Sequence, residues 1–462
     1  MSDTIPRILI GGTGSGCGKT MVTCAVLAAL KHSHKNVVSF KSGPDYIDPM
    51  FHRQATEVDS FNLDPYLMGD DGVMESLYCH SNGRDIAVIE GAMGLYDGIG
   101  KGSRSSGNHV AQITGTPTVL VVDPKGMALS VCAEIQGFLA LEKNNIVAVI
   151  LNRTKPAMYP YYKEMIERRT DVKVIGYLPD MPEAHIESRH LGLVIAYEIP
   201  DIRQKITILG ENALKSIELE TLFAMAARAI PPSFPTVIHR SEQRNPDVRI
   251  YVAHDEAFCF HYEDNHRILR ESGAELHFFS PIHDTGIPDD ADGLIFWGGY
   301  PELHATALTA NEPLKQSIRE KHDRGLPIYA ECGGFLYMLE RLVDQRGEKH
   351  TMLGIVDGEA FMTDRLQQFG YVGLESRNDN ILCNKGDKIR AHSFHYSSAT
   401  NAGNDFTALK ASGSGSFSCI HATEKLFAGY PHLHFGGNRR LAENFVDACS
   451  HFKNRVKHGP HH

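Results

Sequence analysis

The sequence predicts an α/β protein of two domains, a parallel-sheet domain with a phosphate loop followed by a second α/β domain. Three observations lead there. Short apolar runs alternate with amphipathic helical patterns. A glycine-rich loop joins the first such run to the first helix. The alternation breaks once, over a Pro-rich polar stretch, and then resumes.

In the first half the strand candidates are residues 8–10, 37–40, 86–89, 118–122, 146–151 and 173–177, with helical patterns at 21–30 and 128–139 between them. Apolar runs of this kind need cover on both faces, which implies a parallel sheet with its ligand sites at the carboxyl ends of the strands. Residues 233–247 read as a linker between domains at 1–232 and 248–462. Further strands are expected at 248–253, 275–279, 293–296 and 327–330.

The 462 residues carry a net charge of -10, so no cationic excess exists to neutralise nucleic acid or an anionic membrane. No apolar run approaches the roughly 18 residues that span a bilayer. The nine cysteines are scattered, odd in number and without a C-x-x-C pair. That usage suits reduced thiols and a cytoplasmic location better than a disulfide framework.

The loop Gly12-Thr13-Gly14-Ser15-Gly16-Cys17-Gly18-Lys19-Thr20 lies between strand and helix. Gly14, Gly16 and Gly18 let backbone N–H groups turn towards phosphate oxygens, Lys19 reaches the terminal phosphates, and the Thr20 hydroxyl faces Mg²⁺. Thr13 occupies the slot of the first glycine in G-x-x-x-x-G-K-[ST]. The next strand ends in Lys41-Ser42-Gly43-Pro44-Asp45-Tyr46-Ile47-Asp48-Pro49, either a plain turn or a cation and carboxylates at the phosphate edge. The third strand delivers Glu90, where a Mg²⁺-directed acid belongs, and then Asp97. Asn152 ends a later strand, to meet a purine edge or to cap a turn.

In the second half, Glu331-Cys332-Gly333-Gly334 runs from a strand into a helix. A cysteine on such an elbow is pushed outward, and the helix N-terminus favours its thiolate. The base for this thiol is expected in Tyr430-Pro431-His432-Leu433-His434-Phe435, where extended backbone would put both histidines on one face. Oxyanion donors are expected from Gly298, Gly299 and Gly333.

Gly12–Thr20, Lys41–Pro49, Glu90–Gly98, Ala253–Tyr262, Gly298–Glu302, Glu331–Gly334 and Pro431–Phe435 together resemble the cobyrinic acid a,c-diamide synthase family over nearly the whole chain. The first half is similar to dethiobiotin synthetase and the second to class I glutamine amidotransferases, which implies a flavodoxin-like α/β fold for the second domain. The resemblance implies an ATP- and Mg²⁺-dependent ligase that amidates the a and c acetates of a tetrapyrrole with ammonia from L-glutamine; homodimerisation stays open. It implies that Cys332 attacks glutamine and that His432, followed by x-x-Phe, is the base. The slot two residues on, where many relatives carry Glu, holds His434, so the sequence displays no third triad member. In the synthetase half it assigns Lys19, Thr20 and Lys41 to phosphate, Thr20, Asp48 and Glu90 to the metal, and Asp45, Tyr46, Asp48 and Asp97 to the substrate. Two departures from the pattern are Trp297, where Pro is usual, and the segment 390–397, expected to contact the macrocycle or the domain interface. A sister enzyme amidating nickel sirohydrochlorin shares these motifs. A P-loop switch ATPase, from another class, lacks a cysteine elbow domain.

Overall fold

A computed structural model describes residues 5–184, 188–189, 192–193, 201–230, 247–413 and 415–458. The chain divides into two compact units, Met1–Ile238 and His239–His462. Most of the expected linker lies outside the described residues.

In the first unit the order is β1 (Arg7–Gly12), α1 (Lys19–His32), β2 (Val37–Ser42), α2 (Ile47–Thr56), β3 (Ser60–Leu63), α3 (Pro65–Ser81), β4 (Ile86–Glu90), α4 (Gly107–Thr114), β5 (Thr118–Val122), α5 (Ser130–Leu141), β6 (Ile146–Leu151), α6 (Tyr159–Arg169), β7 (Lys173–Tyr177), a short antiparallel pair β8 (Ser188–Arg189) and β9 (Gly192–Leu193), α7 (Ile202–Ser216) and α8 (Leu219–Ala226). The main sheet runs β3-β2-β4-β1-β5-β6-β7 and is parallel throughout. β1, β2, β4 and β5 are buried along their whole length, as continuous apolar runs require. α1 packs Val22, Val26, Ala29 and Leu30 into the core beside Ile8, Ile10, Val88 and Val119.

One cation is sealed into this unit away from any site. Arg7 is 2% exposed, and burial lowers its pKa to about 10, so it remains charged at neutral pH. Its guanidinium donates to the Thr114 carbonyl at 2.6 Å and to the Ile230 carbonyl, tying the end of α4 to the chain that leaves α8.

The second unit opens with β10 (Val248–Ala253), α9 (Glu263–Glu271), β11 (Ala274–Phe279), β12 (Gly293–Phe296), α10 (Ala305–Ala310), α11 (Glu312–Asp323), β13 (Ile328–Glu331) and α12 (Gly333–Met338). It continues through β14 (Leu339–Val343), β15 (Lys349–Thr351), β16 (Val356–Met362), β17 (Gln368–Ser376), β18 (Lys388–His395), β19 (Ser397–Ala399), β20 (Phe406–Lys410), β21 (Ser416–Cys419), β22 (His421–Ala422), β23 (Leu426–Gly429), β24 (His432–Leu433) and α13 (Arg440–His458). The central sheet runs β11-β10-β12-β13-β23-β22, and its first five strands are parallel in the flavodoxin-like order. Beside it lie a four-stranded sheet, β15-β14-β16-β19, and a five-stranded one, β21-β20-β17-β18-β24. Among the described residues no helix is long and apolar enough to cross a membrane.

Replacing Arg7 with Met should cost about 1–3 kcal/mol, because buried carbonyls lose their donor. A urea midpoint unchanged from wild type would contradict this role.

Candidate functional site

Two clusters stand at the carboxyl ends of the two central sheets, one in each unit.

In the first unit, β1 ends where the glycine loop turns into α1. Gly16 and Gly18 take φ values of 79° and 94°, a region that favours glycine. A Cβ on Gly18 would meet the Asn152 amide nitrogen at 1.9 Å. That nitrogen donates to the Cys17 carbonyl at 2.9 Å. Asn152, at the end of β6, thus braces the phosphate loop. Lys19 curls over the same loop, its amine donating to the Gly14 carbonyl at 2.9 Å.

β2 and β4 are parallel neighbours with Lys41 opposite Glu90. The register brings the Lys41 amine to 2.9 Å from Glu90 and 2.5 Å from Asp48. The Thr20 hydroxyl donates to Glu90 at 2.6 Å. The segment read as either a plain turn or a cation and carboxylates at the phosphate edge forms a turn and also brings Lys41 and Asp48 together. The Asp45 carboxylate accepts from the Ile47 and Asp48 amides at 2.8 and 3.3 Å and so starts α2, which carries Asp48 inward. Tyr46 is the residue at the head of that helix. Asp97 is exposed and accepts from the Gly94 amide at 2.8 Å, closing the turn after β4.

Burial opposes charge at Glu90, but Lys41, His52 and Thr20 outweigh it and hold the carboxyl well below its usual range. Asp48 goes the other way: burial and the Asp45 carboxylate outweigh Lys41 and push it up to about 8. Lys41 itself is raised against its burial by Asp48 and Glu90. One buried ammonium thus faces three carboxyl groups, of which Asp48 holds its proton most readily; oxygen ligands gathered in this way suit a divalent cation, whose charge would favour the ionised form of Asp48. A contributor with no motif to reveal it is His52 on α2, wholly buried, with Nε2 at 2.8 Å from Glu90.

In the second unit, β13 leads into Cys332, which takes φ 49° and ψ −107°, a strained conformation for a non-glycine residue at a strand-to-helix elbow. The glycines around it mark close approaches. A Cβ on Gly333 would lie 2.8 Å from the Gly299 nitrogen, and one on Gly334 would lie 2.2 Å from the Phe296 carbonyl oxygen. Gly298, expected as an oxyanion donor, also makes room for a side chain. A Cβ there would come within 2.7 Å of His432 Cε1, so the missing side chain leaves room for the imidazole.

His432 is 2% exposed, and its Nδ1 is 3.0 Å from Glu331 Oε1. The other Glu331 oxygen accepts from the Tyr329 hydroxyl at 2.7 Å and the Leu433 amide at 3.2 Å. Burial lowers the affinity of His432 for a proton; Cys332 and Glu331 together reverse this and raise its pKa to about 10. A carboxylate therefore stands behind the histidine, contributed by the residue before the cysteine rather than by the slot after the histidine. The two histidines of the last motif do not share a role. His434 Nδ1 accepts from the Gly436 amide at 3.0 Å, its ring lies 4.7 Å from Tyr262, and burial lowers its pKa to about 4.

The segment 390–397, expected as a contact loop, is largely strand. It forms β18, and His392 stands directly opposite His432 on β24. Trp297 is wholly buried and donates to His266 Nε2 at 2.9 Å. That bond makes Nε2 an acceptor and leaves the proton on Nδ1. His261, Glu263 and His266 bring ligand atoms within 4.8 Å of one another, but the Trp297 bond denies a metal the Nδ1 lone pair of His266.

The fold and these two sites define the protein as an amidating ligase, with a P-loop nucleotide-binding half and a cysteine amidotransferase half. Residues 8–194 match the CobQ/CobB/MinD/ParA nucleotide binding domain, and residues 249–440 match the CobB/CobQ-like glutamine amidotransferase domain. The cobyrinate a,c-diamide synthase of Caldanaerobacter subterraneus subsp. tengcongensis is 37% identical over 450 residues, covering 96% of this chain and 98% of that one. The synthase of that name from Clostridium tetani is 40% identical over 435 residues, covering 93% and 97%. The chain belongs to the cobyrinate a,c-diamide synthase family.

The second unit should be sensitive to acid. Burial lowers the pKa values of His322, His395 and His434 to about 4 and that of His392 to about 3. Below the ordinary histidine value the unfolded chain binds more protons than the folded one, so stability falls as pH drops from about 6.5 towards 4. A melting temperature of the full chain that stays flat across that window would contradict the assignment.

Proposed function

We propose that this protein amidates the a and c acetate side chains of cobyrinic acid, consuming ATP and L-glutamine. The observation that carries this reading is the presence, in one chain, of the buried Thr20–Lys41–Asp48–Glu90 cluster beside a phosphate loop and of the Cys332–His432–Glu331 row. The names of the full-length relatives favour the cobalt-corrin precursor over nickel sirohydrochlorin as substrate.

In the amidotransferase half, the Cys332 sulfur passes its proton to His432 and attacks the side-chain carbonyl of glutamine. The backbone N–H groups of Gly299 and Gly333 receive the developing oxyanion. His432 returns its proton to the leaving nitrogen as the C–N bond breaks, and ammonia departs. His432 then takes a proton from water, which cleaves the thioester and releases glutamate. Glu331 keeps the imidazole oriented and its cation stabilised throughout, the part a buried carboxylate plays in serine triads.

In the synthetase half, backbone N–H groups of the loop and Lys19 hold the ATP phosphates. Thr20, Asp48 and Glu90 would hold Mg²⁺, which neutralises phosphate charge when bound. Lys41 lies between the carboxylates and the phosphates and steadies the transferring group. Asp45, Tyr46 and Asp97 border the place where the substrate carboxylate approaches. The carboxylate takes the terminal phosphoryl group, and ammonia displaces phosphate to form the amide.

Cys332→Ala should abolish glutamine-dependent amidation of cobyrinic acid and spare amidation with free ammonium, both read by mass spectrometry of the product. Losing the two together would reject this division of labour. Lys19→Ala should stop amidation from either nitrogen source. Glu331→Gln should lower the glutaminase rate by about 10²–10⁴-fold while ammonium-dependent amidation persists; an unchanged glutaminase rate would remove Glu331 from the row.

A further inference from the structure

We propose that His52 is a positioning residue for the nucleotide site: it fixes the rotation of the Glu90 carboxylate so that the other oxygen is presented to Thr20 and Lys41. This rests on reading the cluster as a Mg²⁺·ATP site.

The geometry is closed on every side. His52 is 0% exposed, as is Glu90. His52 Nε2 and Glu90 Oε2 approach to 2.8 Å as a buried ion-pair contact, without the alignment of a directed hydrogen bond, and neither atom is hydrogen-bonded to another group among the described residues. Glu90 Oε1 receives both functional contacts, from Thr20 at 2.6 Å and Lys41 at 2.9 Å. The two carboxylate oxygens are therefore divided, one to the scaffold and one to the site. On the other side of the ring, Nδ1 lies 3.0 Å from the Ser39 hydroxyl and 3.4 Å from that of Ser60. Ser39 lies on β2, two residues before Lys41, and α2 carries both Asp48 and His52. The imidazole ties β2, α2 and β4 together behind the carboxylate. Partners of this kind, one step removed from a metal, typically change metal affinity by about 10–100-fold when lost.

The test uses the full chain with ATP present and Mn²⁺ as the probe, its free concentration read by electron paramagnetic resonance. His52→Leu removes the donor; His52→Gln restores an amide N–H near the Nε2 position. The expected result is Mn²⁺ affinity weakened about 10–100-fold in His52→Leu and within a few-fold of wild type in His52→Gln. Ser39→Ala, a milder change that keeps the ring, should give a smaller loss in the same direction and serves if His52→Leu does not fold. Equal affinity in wild type, His52→Leu and Ser39→Ala overturns the proposal, as does a folded His52→Gln no better than His52→Leu. If wild-type protein binds no Mn²⁺ with ATP, the nucleotide-site reading itself falls.

Discussion

The Glu90 carboxylate, shut off from water, is the contact on which the first unit is organised. A buried carboxylate persists only if its charge and lone pairs are met from close by. Here the partners come from separate pieces of chain: the start of α1, the end of β2 and the middle of α2. Each had to be folded into place for the others to be tolerable. That is why the loop, the lysine and the helix after β2 behave as one site although they are scattered over the sequence. Asp48 is left over by this neutralisation: its charged form is disfavoured as it stands, and a cation arriving beside it would restore that charge.

The second unit answers a similar demand with a different arrangement. Cys332 is forced into a strained turn, and the space around it is cleared by glycines rather than filled. His432 arrives on a strand of another sheet, so the nucleophile and its base belong to different layers. Glu331 bridges them, lying on the cysteine's strand and reaching the histidine. The row is therefore built across the joint between sheets, and packing of β24 against β13 sets its geometry as much as any single residue does.

Much of this was legible in the sequence, for identifiable reasons. The parallel strands at 118–122, 146–151, 173–177 and 248–253 have the expected bounds, because buried strands of this class are unbroken apolar runs. Lys41, Asp48 and Glu90 could be placed together because residues at the carboxyl ends of adjacent parallel strands must meet. β3 went unread: Ser60-Phe61-Asn62-Leu63 is short and half polar. The strands β17 and β18 were equally silent, since residues such as Gly370, Gly373 and Arg390 interrupt their alternation. His52 went unread, although it follows Asp48 by four residues and so shares its face of α2; a lone histidine at that spacing is marked only once Asp48 is known to point inward. Glu331 was in plain view but unassigned, because the third triad member was sought at a fixed distance after His432. The physical requirement is a carboxylate near Nδ1, and chain position is immaterial to it.

The Trp297–His266 bond has a consequence for how this sequence can drift. An indole N–H buried at this depth must be given an acceptor, and the acceptor comes from a helix thirty-one positions earlier in the chain. Neither residue can change alone without stranding the other. In evolutionary terms positions 266 and 297 form a single heritable unit, so a lineage that exchanges Trp297 for Pro should be found to have exchanged His266 as well.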